Sequence, residues 1–308
     1  GVTISSDSAN PTSFWFVVPP ITFEGGFTFT ITDINGNTFT KSTTKSQTVV
    51  RNGIKSMSAF EPTFEGEGED PEVATKPASN EIWYKSIDGN KTAPYRYPSD
   101  SNSLVSNTYS EDLGYWILEY TYDISKIDVE TFMSCTKFTE IVLHESITKI
   151  NEDAFSGTSN LKKIHLPANL KLIQYQAFYS SAVSEIHIED LDAWCGISMM
   201  DKSFGGSYSL YIDNKPLTNV EIPENITSLS YRAFWHCKSV EHLKLHDNFT
   251  KIDSYAFNSN TNLQTVDLGD SIVEIGRFSF SFCDKLTTIT IPESVTKIGD
   301  SAFKGCSS

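Results

Sequence analysis

The chain has 308 residues, of which 39% are hydrophobic, 12% aromatic and only 20% charged, a composition that supports folded cores beneath a surface rich in Ser, Thr and Asn. Its net charge of -15, from 39 acidic against 24 basic side chains, opposes the phosphate neutralisation on which nucleic-acid binding depends and equally opposes docking on anionic lipid. No segment is long and apolar enough to read as a transmembrane helix, and the opening Gly1 fits a mature chain from which an export signal has been removed.

Residues 1–60 read as a small β-sandwich-like region. Phe14 to Pro19 form a continuous apolar run of the kind that makes a buried strand, and Phe27 to Ile31 and Thr38 to Thr40 alternate around a turn marked by Asn35-Gly36. The phrases Phe16-Val-Val-Pro-Pro20, Gly26-Phe-Thr-Phe-Thr-Ile-Thr-Asp33 and Thr48-Val-Val-Arg51-Asn-Gly53 are similar to the closing strands of fimbrillin-like domains of surface appendages and anchored lipoproteins. Residues 61–79 are acidic, rich in Pro and Gly and nearly free of aromatics, which is a linker composition. Residues 80–123 hold strands around Ile82-Trp83-Tyr84 and Tyr115-Trp116-Ile117-Leu118, and are assigned the task of capping the C-terminal part of the chain.

From residue 124 onward the chain is repetitive. Leu286 to Cys306 aligns without gaps onto Leu263 to Cys283, Val240 to Asn260 and Leu217 to Cys237, and upstream onto Leu161 to Ser181 and Phe138 to Thr158. Marker phenylalanines fall at Phe132, Phe155, Phe178, Phe234, Phe257, Phe280 and Phe303, each 23 residues from the next except across the gap from Phe178 to Phe234. That gap is read as one further repeat, with its strand at Val183 to Ile188, followed by an insertion over residues 189–216. Within a unit, Ile289-Thr290-Ile291 alternates as a strand with one buried face, and Ala302, Phe303 and Cys306 have the spacing of one face of a short helical turn. Such a unit buries its apolar side only against its neighbours. The expected fold is therefore mostly β with short helical turns, a solenoid of 23-residue repeats over residues 124–308.

The pattern L-x-x-I-x-I-P-x-x-[ILV]-x-x-I-G-x-x-A-F-x-x-C resembles the BspA-type leucine-rich repeats. That resemblance implies an exported protein, secreted or held at the cell surface with an outer-membrane anchor, that adheres to host matrix or to neighbouring cells by binding their surface proteins. It does not imply catalysis.

In a stacked array the outward strand positions form columns. One reads Val142, His165, His187, Glu221, Lys244, Asp267 and Thr290, the other Glu140, Lys163, Glu185, Asn219, His242, Thr265 and Thr288. The columns lack aromatics and any single sign of charge, which fits a polar protein-binding surface. The candidate ligand-binding residues are Glu140, Lys163, His165, Glu185, His187, Glu221, His242, Lys244 and Asp267, with a second candidate site in the insertion at Trp194, Tyr208 and Tyr211. A glycan-binding accessory module, using the aromatics of the cap or the insertion, is the alternative. A metal at His165, His187 and Glu185 is weighed against a solvated mixed-charge face, and the face is preferred. Cys135, Cys237, Cys283 and Cys306 occupy one repeat position and read as a buried thiol ladder, with a Cys283–Cys306 bridge left open. No nucleophile-base pair, metal motif or cofactor loop is present, so no catalytic residue, metal or cofactor is expected. End-to-end association through the C-terminal repeat would cover its open core edge.

Overall fold

The computed structural model describes residues 76–96, 104–229 and 231–306, together with the backbone course of four strands nearer the N-terminus. The chain divides into two compact units, Gly1–Glu72 and Val73–Ser308. In the first, β1 (Ile21–Phe23) pairs antiparallel with β4 (Gln47–Val49), and β2 (Phe27–Thr32) pairs antiparallel with β3 (Thr38–Thr43), Phe27 opposite Thr43 and Thr32 opposite Thr38. The strand expected over Phe14 to Pro19, the Asn35-Gly36 turn and residues 61–75 lie outside the described residues.

The second unit is almost wholly β. It begins with β5 (Glu81–Ser86), β6 (Leu104–Ser110) and β7 (Tyr115–Tyr120). The winding chain then forms β8 (Lys126–Ile127), β9 (Phe138–Leu143), β10 (Lys149–Ile150), β11 (Lys163–His165), β12 (Leu172–Ile173) and β13 (Glu185–His187). After a short helix, α1 (Leu191–Cys195), come β14 (Ser198–Met199), β15 (Ser209–Ile212), β16 (Lys215–Pro216) and β17 (Asn219–Glu221). The last turns supply β18 (His242–Lys244), β19 (Lys251–Ile252), β20 (Thr265–Asp267), β21 (Glu274–Ile275) and β22 (Lys297–Ile298).

The strands of successive turns stack in parallel with the apolar side chain of each rung in one line. Ile141, Ile164 and Ile186 are in register, and all three are fully buried. One sheet runs in the order β16-β15-β13-β11-β9-β5-β7-β6, so β5 lies antiparallel on β9 and closes the first rung's edge. A separate sheet, β17-β18-β20, carries the later rungs. Inside, the phenylalanine rings stack face to face: Phe132 on Phe155 at 5.0 Å and 2°, Phe155 on Phe178 at 4.9 Å and 2°, and onward from Phe234 through Phe257 and Phe280 to Phe303. Burying each ring is the main stabilisation, and the offset stack adds on the order of 1 kcal/mol per pair.

The turns around these rings are not the helical turns expected. Two residues before each marker and two after it, the backbone takes positive φ: Asp153 (52°) and Gly157 (71°) around Phe155, Gln176 (55°) and Ser180 (53°) around Phe178, Tyr255 (62°) and Ser259 (61°) around Phe257. This alternation aims every second N–H along the solenoid axis. Phe155 N–H donates to Ala177 O at 2.7 Å and Gly157 N–H to Tyr179 O at 2.8 Å, while the intervening Ser156 N–H closes back on Asp153 O at 3.1 Å. The turn side thus adds a further hydrogen-bonded ladder between repeats, which a continuing α-helix, bonding its N–H groups to its own carbonyls, would not supply. Among the described residues α1 is the only α-helix.

The segment read as an insertion is instead part of the winding. After β13, α1 is capped by the Asp190 side chain accepting from Ala193 N–H, β14 pairs with β12, and Phe204 stacks on Phe178 at 4.9 Å and 4° as a further marker ring. The strand β15 then adds to β13 in parallel. Within this segment α1 and the β15–β16 hairpin, turning at Asp213 and Asn214, depart from the repeat.

Candidate functional site

On the outer face of the long sheet, Glu140 gathers the side chains around it. The Tyr115 hydroxyl donates to Glu140 Oε1 at 2.7 Å, His165 Nε2 lies 3.0 Å from the same oxygen, and Lys85 Nζ lies 3.1 Å from Oε2 and 4.3 Å above the Tyr115 ring. Burial, the largest single influence, opposes ionisation of Glu140. The hydrogen bonds from His165, Tyr115 and Lys85 together outweigh it and hold the carboxyl at about 2. An ionised carboxylate only accepts, so His165 carries its proton on Nε2. Burial first, then the hydrogen bond to this anion, pushes the Tyr115 phenol well above its ordinary range.

The register pairs His165 with His187 and His187 with Tyr211. Their rings form a second stack outside the core, 4.4 Å between the imidazoles and 4.9 Å from His187 to Tyr211 at 10°. Sandwiched in this way, His187 is 7% exposed. Burial, then the proximity of His165 and Lys163, lowers its pKa to about 4, so it is neutral at pH 7, and its Nε2, 3.7 Å from Glu185 Oε2, has no hydrogen-bond partner. The neutral ring makes a contact with Glu185, not an ion pair. Lys163 and Glu185 pair across the strands at 3.6 Å.

The structure therefore brings Glu140, Lys163, His165, Glu185 and His187 together and separates them from the rest. Glu221, His242, Lys244 and Asp267 lie on the β17-β18-β20 sheet, where Lys244 reaches Glu221 at 3.8 Å and His242 Nδ1 meets the Thr265 hydroxyl at 2.8 Å. The column expected to run from His187 to Glu221 is interrupted, because Tyr211 of β15 occupies the next rung. Nor is the face free of aromatics as expected: Tyr115 and Tyr211 both stand in it. Lys85 and Tyr115 are the residues that reading the repeats overlooked, while Tyr211, expected in a separate site in the insertion, stands on this face beside His187. The signal available was the alternation of Tyr115 with Ile117 and of Ser209 with Tyr211.

Of the second candidate site, Trp194 and Tyr208 are core residues, 0% and 2% exposed, with the Trp194 indole N–H donating to Ala233 O at 3.2 Å. Neither can meet a ligand, and of the three only Tyr211 reaches solvent. In the cap, Trp83 is also buried, its indole N–H on Glu81 at 2.8 Å, whereas Tyr109 and Trp116 border a recess of about 330 Å³ with Lys85, Ser86, Gly89 and Gly114. All five cysteines are free. Cys283 and Cys306 do not bridge; each thiol donates to the marker carbonyl one repeat earlier, Phe257 O at 3.3 Å and Phe280 O at 3.2 Å. Among the described residues no group of three or more His, Cys, Asp or Glu is arranged to hold a metal ion, and no helix is long and apolar enough to cross a membrane.

A family model described as the BspA-type leucine-rich repeat region matches residues 120–199 and 206–308 in six copies, more than half of the chain. The chain belongs to the BspA-type leucine-rich repeat family. Its repeats form a scaffold typical of bacterial surface proteins and consistent with protein–protein interaction. Among solved structures, the chain is similar to a leucine-rich cell surface protein from Faecalibacterium prausnitzii (18% identity, 77% of this chain and 87% of that one, TM-score 0.38). It is also similar to the leucine-rich repeat protein of T. pallidum (21%, 60% and 72%, TM-score 0.35) and to the pneumococcal vaccine antigen PcpA (16%, 60% and 66%, TM-score 0.34). No curated protein matches it.

Proposed function

We propose that this BspA-type protein is exported to the cell surface and there binds a protein of host matrix or of a neighbouring cell through the outer face of β5, β7, β9, β11, β13 and β15. The observation that carries the reading is the Glu140 constellation. It fixes an ionised acid, an oriented imidazole, a phenol and an ammonium on a strand face that the repeats hold rigid, so a partner meets groups already ordered. Lys163, His165, Glu185 and Tyr211 supply the accessible donors and acceptors at its margin, and the mixed charge favours selectivity over bulk attraction. The N-terminal unit, by its fimbrillin-like phrases, and the acidic segment after it serve in this reading as the stalk and anchor side of the molecule.

The test is binding of the full chain to immobilised collagen and fibronectin, beside a variant carrying Lys163→Glu, His165→Ala and Tyr211→Ala. Saturable binding weakened roughly ten-fold or more in the variant supports the reading. Equal binding by both proteins removes the site from this face. The glycan reading keeps one specific observation, the Tyr109 and Trp116 recess. Binding to a glycan array that survives the strand-face changes and is lost on Trp116→Ala would favour it.

A further inference from the structure

The turn side of the later repeats carries side chains that stacking does not call for. Two residues before the marker rings, where the backbone takes positive φ, most turns hold a polar residue: Glu130, Asp153, Gln176, Lys202 or Ser301. Three consecutive turns instead hold Arg232 (63°), Tyr255 (62°) and Phe278 (54°). Large side chains are disfavoured in this conformation, and residues kept there against that preference mark positions held for another purpose. The three turns form one patch. Tyr255 stacks on Phe278 at 5.2 Å and 18°, and Tyr231 stands edge-on to Tyr255 at 5.8 Å and 78°. The Arg232 guanidinium lies among Tyr231, Trp235 and Tyr255, 5.1, 4.5 and 5.2 Å from their ring centroids, and pairs with Asp201. The Arg277 guanidinium lies over Phe278 at 4.8 Å and, among the described residues, is in no ion pair. Tyr231 is 38% exposed and Arg277 is exposed, with Trp235, Tyr255 and Phe278 half-buried beside them.

We propose that this patch binds an acidic segment of a partner protein, with aliphatic side chains against Tyr231, Tyr255 and Phe278 and a carboxylate on Arg277. The site is separate from the strand face and does not rest on that reading. Three features favour an acidic peptide. Two of the four arginines of a chain with net charge -15 are gathered here, and the one without a carboxylate partner presents a fork that matches a carboxylate in two hydrogen bonds. Tyr, Trp and Arg packed together are the residues on which protein–protein binding energy concentrates. The edge-on step between Tyr231 and Tyr255 breaks the rings into a ridge and a ledge, which seats branched side chains better than the flat face of a sugar, and the Trp235 indole N–H is already given to Asn258 at 3.1 Å.

The test is selection of a random peptide library on the full chain, keeping the peptides that fail to bind an Arg277→Glu variant. These should carry Asp or Glu beside aliphatic residues, against the bias toward basic peptides that the overall charge imposes. Their affinity should fall about ten-fold or more on Tyr231→Ala and on Arg277→Gln, and stay unchanged in the variant carrying Lys163→Glu, His165→Ala and Tyr211→Ala. A peptide whose acid is replaced by its amide should bind the native chain weakly and lose little more on Arg277→Gln, a coupling that a misfolded variant would not produce. No peptide that depends on Arg277, or a dependent set without acidic residues, overturns the proposal. So does binding of heparin that Arg277→Glu abolishes when no acidic peptide is retained, which would give the patch to an anionic glycan.

Discussion

Glu140 and His187 sit two rungs apart on the same face and respond to acid in overlapping windows. The folded chain keeps His187 neutral down to about 4, whereas an unfolded imidazole takes up its proton near 6.5. Between those values the unfolded state binds more protons, so stability falls as pH falls from 6.5 toward 4, and above 6.5 this contribution is fully present. Glu140, held at about 2 against an ordinary value of 4.5, adds a further loss as pH drops from 4.5 toward 2. Each is worth on the order of 1–3 kcal/mol once screening by the solvent that reaches this face is allowed for. His187→Phe preserves a ring between His165 and Tyr211 but removes the titration. Urea unfolding at pH 7 and pH 4.5 should therefore show a fall in stability that is smaller in the variant by about 1–3 kcal/mol. An identical fall in both proteins would mean that the depressed imidazole is not linked to folding.

At the scale of the element, the turn beside each marker ring places ordinary L-residues at positive φ, a conformation costing roughly 1–2 kcal/mol per residue. The cost is offset by the N–H groups that this backbone delivers to the next repeat. Ser180, exposed and at φ 53°, isolates the effect. Ser180→Gly should stabilise by up to about 1 kcal/mol, and Ser180→Val should destabilise by about 1–2 kcal/mol, read as shifts in urea midpoint. A neutral valine would show that the turn relaxes without strain. The left-handed residues also explain a limit of the sequence reading. Ala302, Phe303 and Cys306 have helical spacing, but spacing does not distinguish a helix from a turn of alternating hand. The repeat itself, its buried strand positions and its marker rings were legible because 23-residue periodicity is enforced by stacking. Phe204 was not legible as a marker because α1 moves it 26 residues from Phe178, and for the same reason Tyr211 reads as part of an insertion and not as the rung after His187. Of the site, the pairing of His165 with His187 and the place of Glu140 followed from register. Lys85 and Tyr115 did not, since they arrive from antiparallel strands outside the repeat.

For the molecule as a whole, the same irregularity divides the array. The ring stack is continuous from Phe132 to Phe204 and again from Phe234 to Phe303, and the outer sheet breaks at the same place, between β16 and β17. Trp194 fills the junction, 6.5 Å from Phe204, 5.9 Å from Tyr208 and 6.5 Å from Phe234. Few ladder bonds cross there, among them Tyr208 N–H to His236 O and Lys238 N–H to Tyr208 O. In a stacked array, stability is close to a sum of repeat terms and nearest-neighbour interfaces, so one weak interface decides whether the two halves unfold together. Trp194→Ala removes the largest buried side chain of that interface, at about 3–5 kcal/mol. It should therefore uncouple the halves as well as weaken them. Hydrogen exchange resolved by peptide along a urea series reads the backbone amides of each half and so separates the two. In the native chain both halves should open at one midpoint; in Trp194→Ala the half from β17 onward, which lacks the antiparallel cap of β5 to β7, should open at lower urea. Coincident opening in the variant, merely shifted to lower urea, would show that the backbone crossing at Tyr208 is enough to hold the array as one cooperative body.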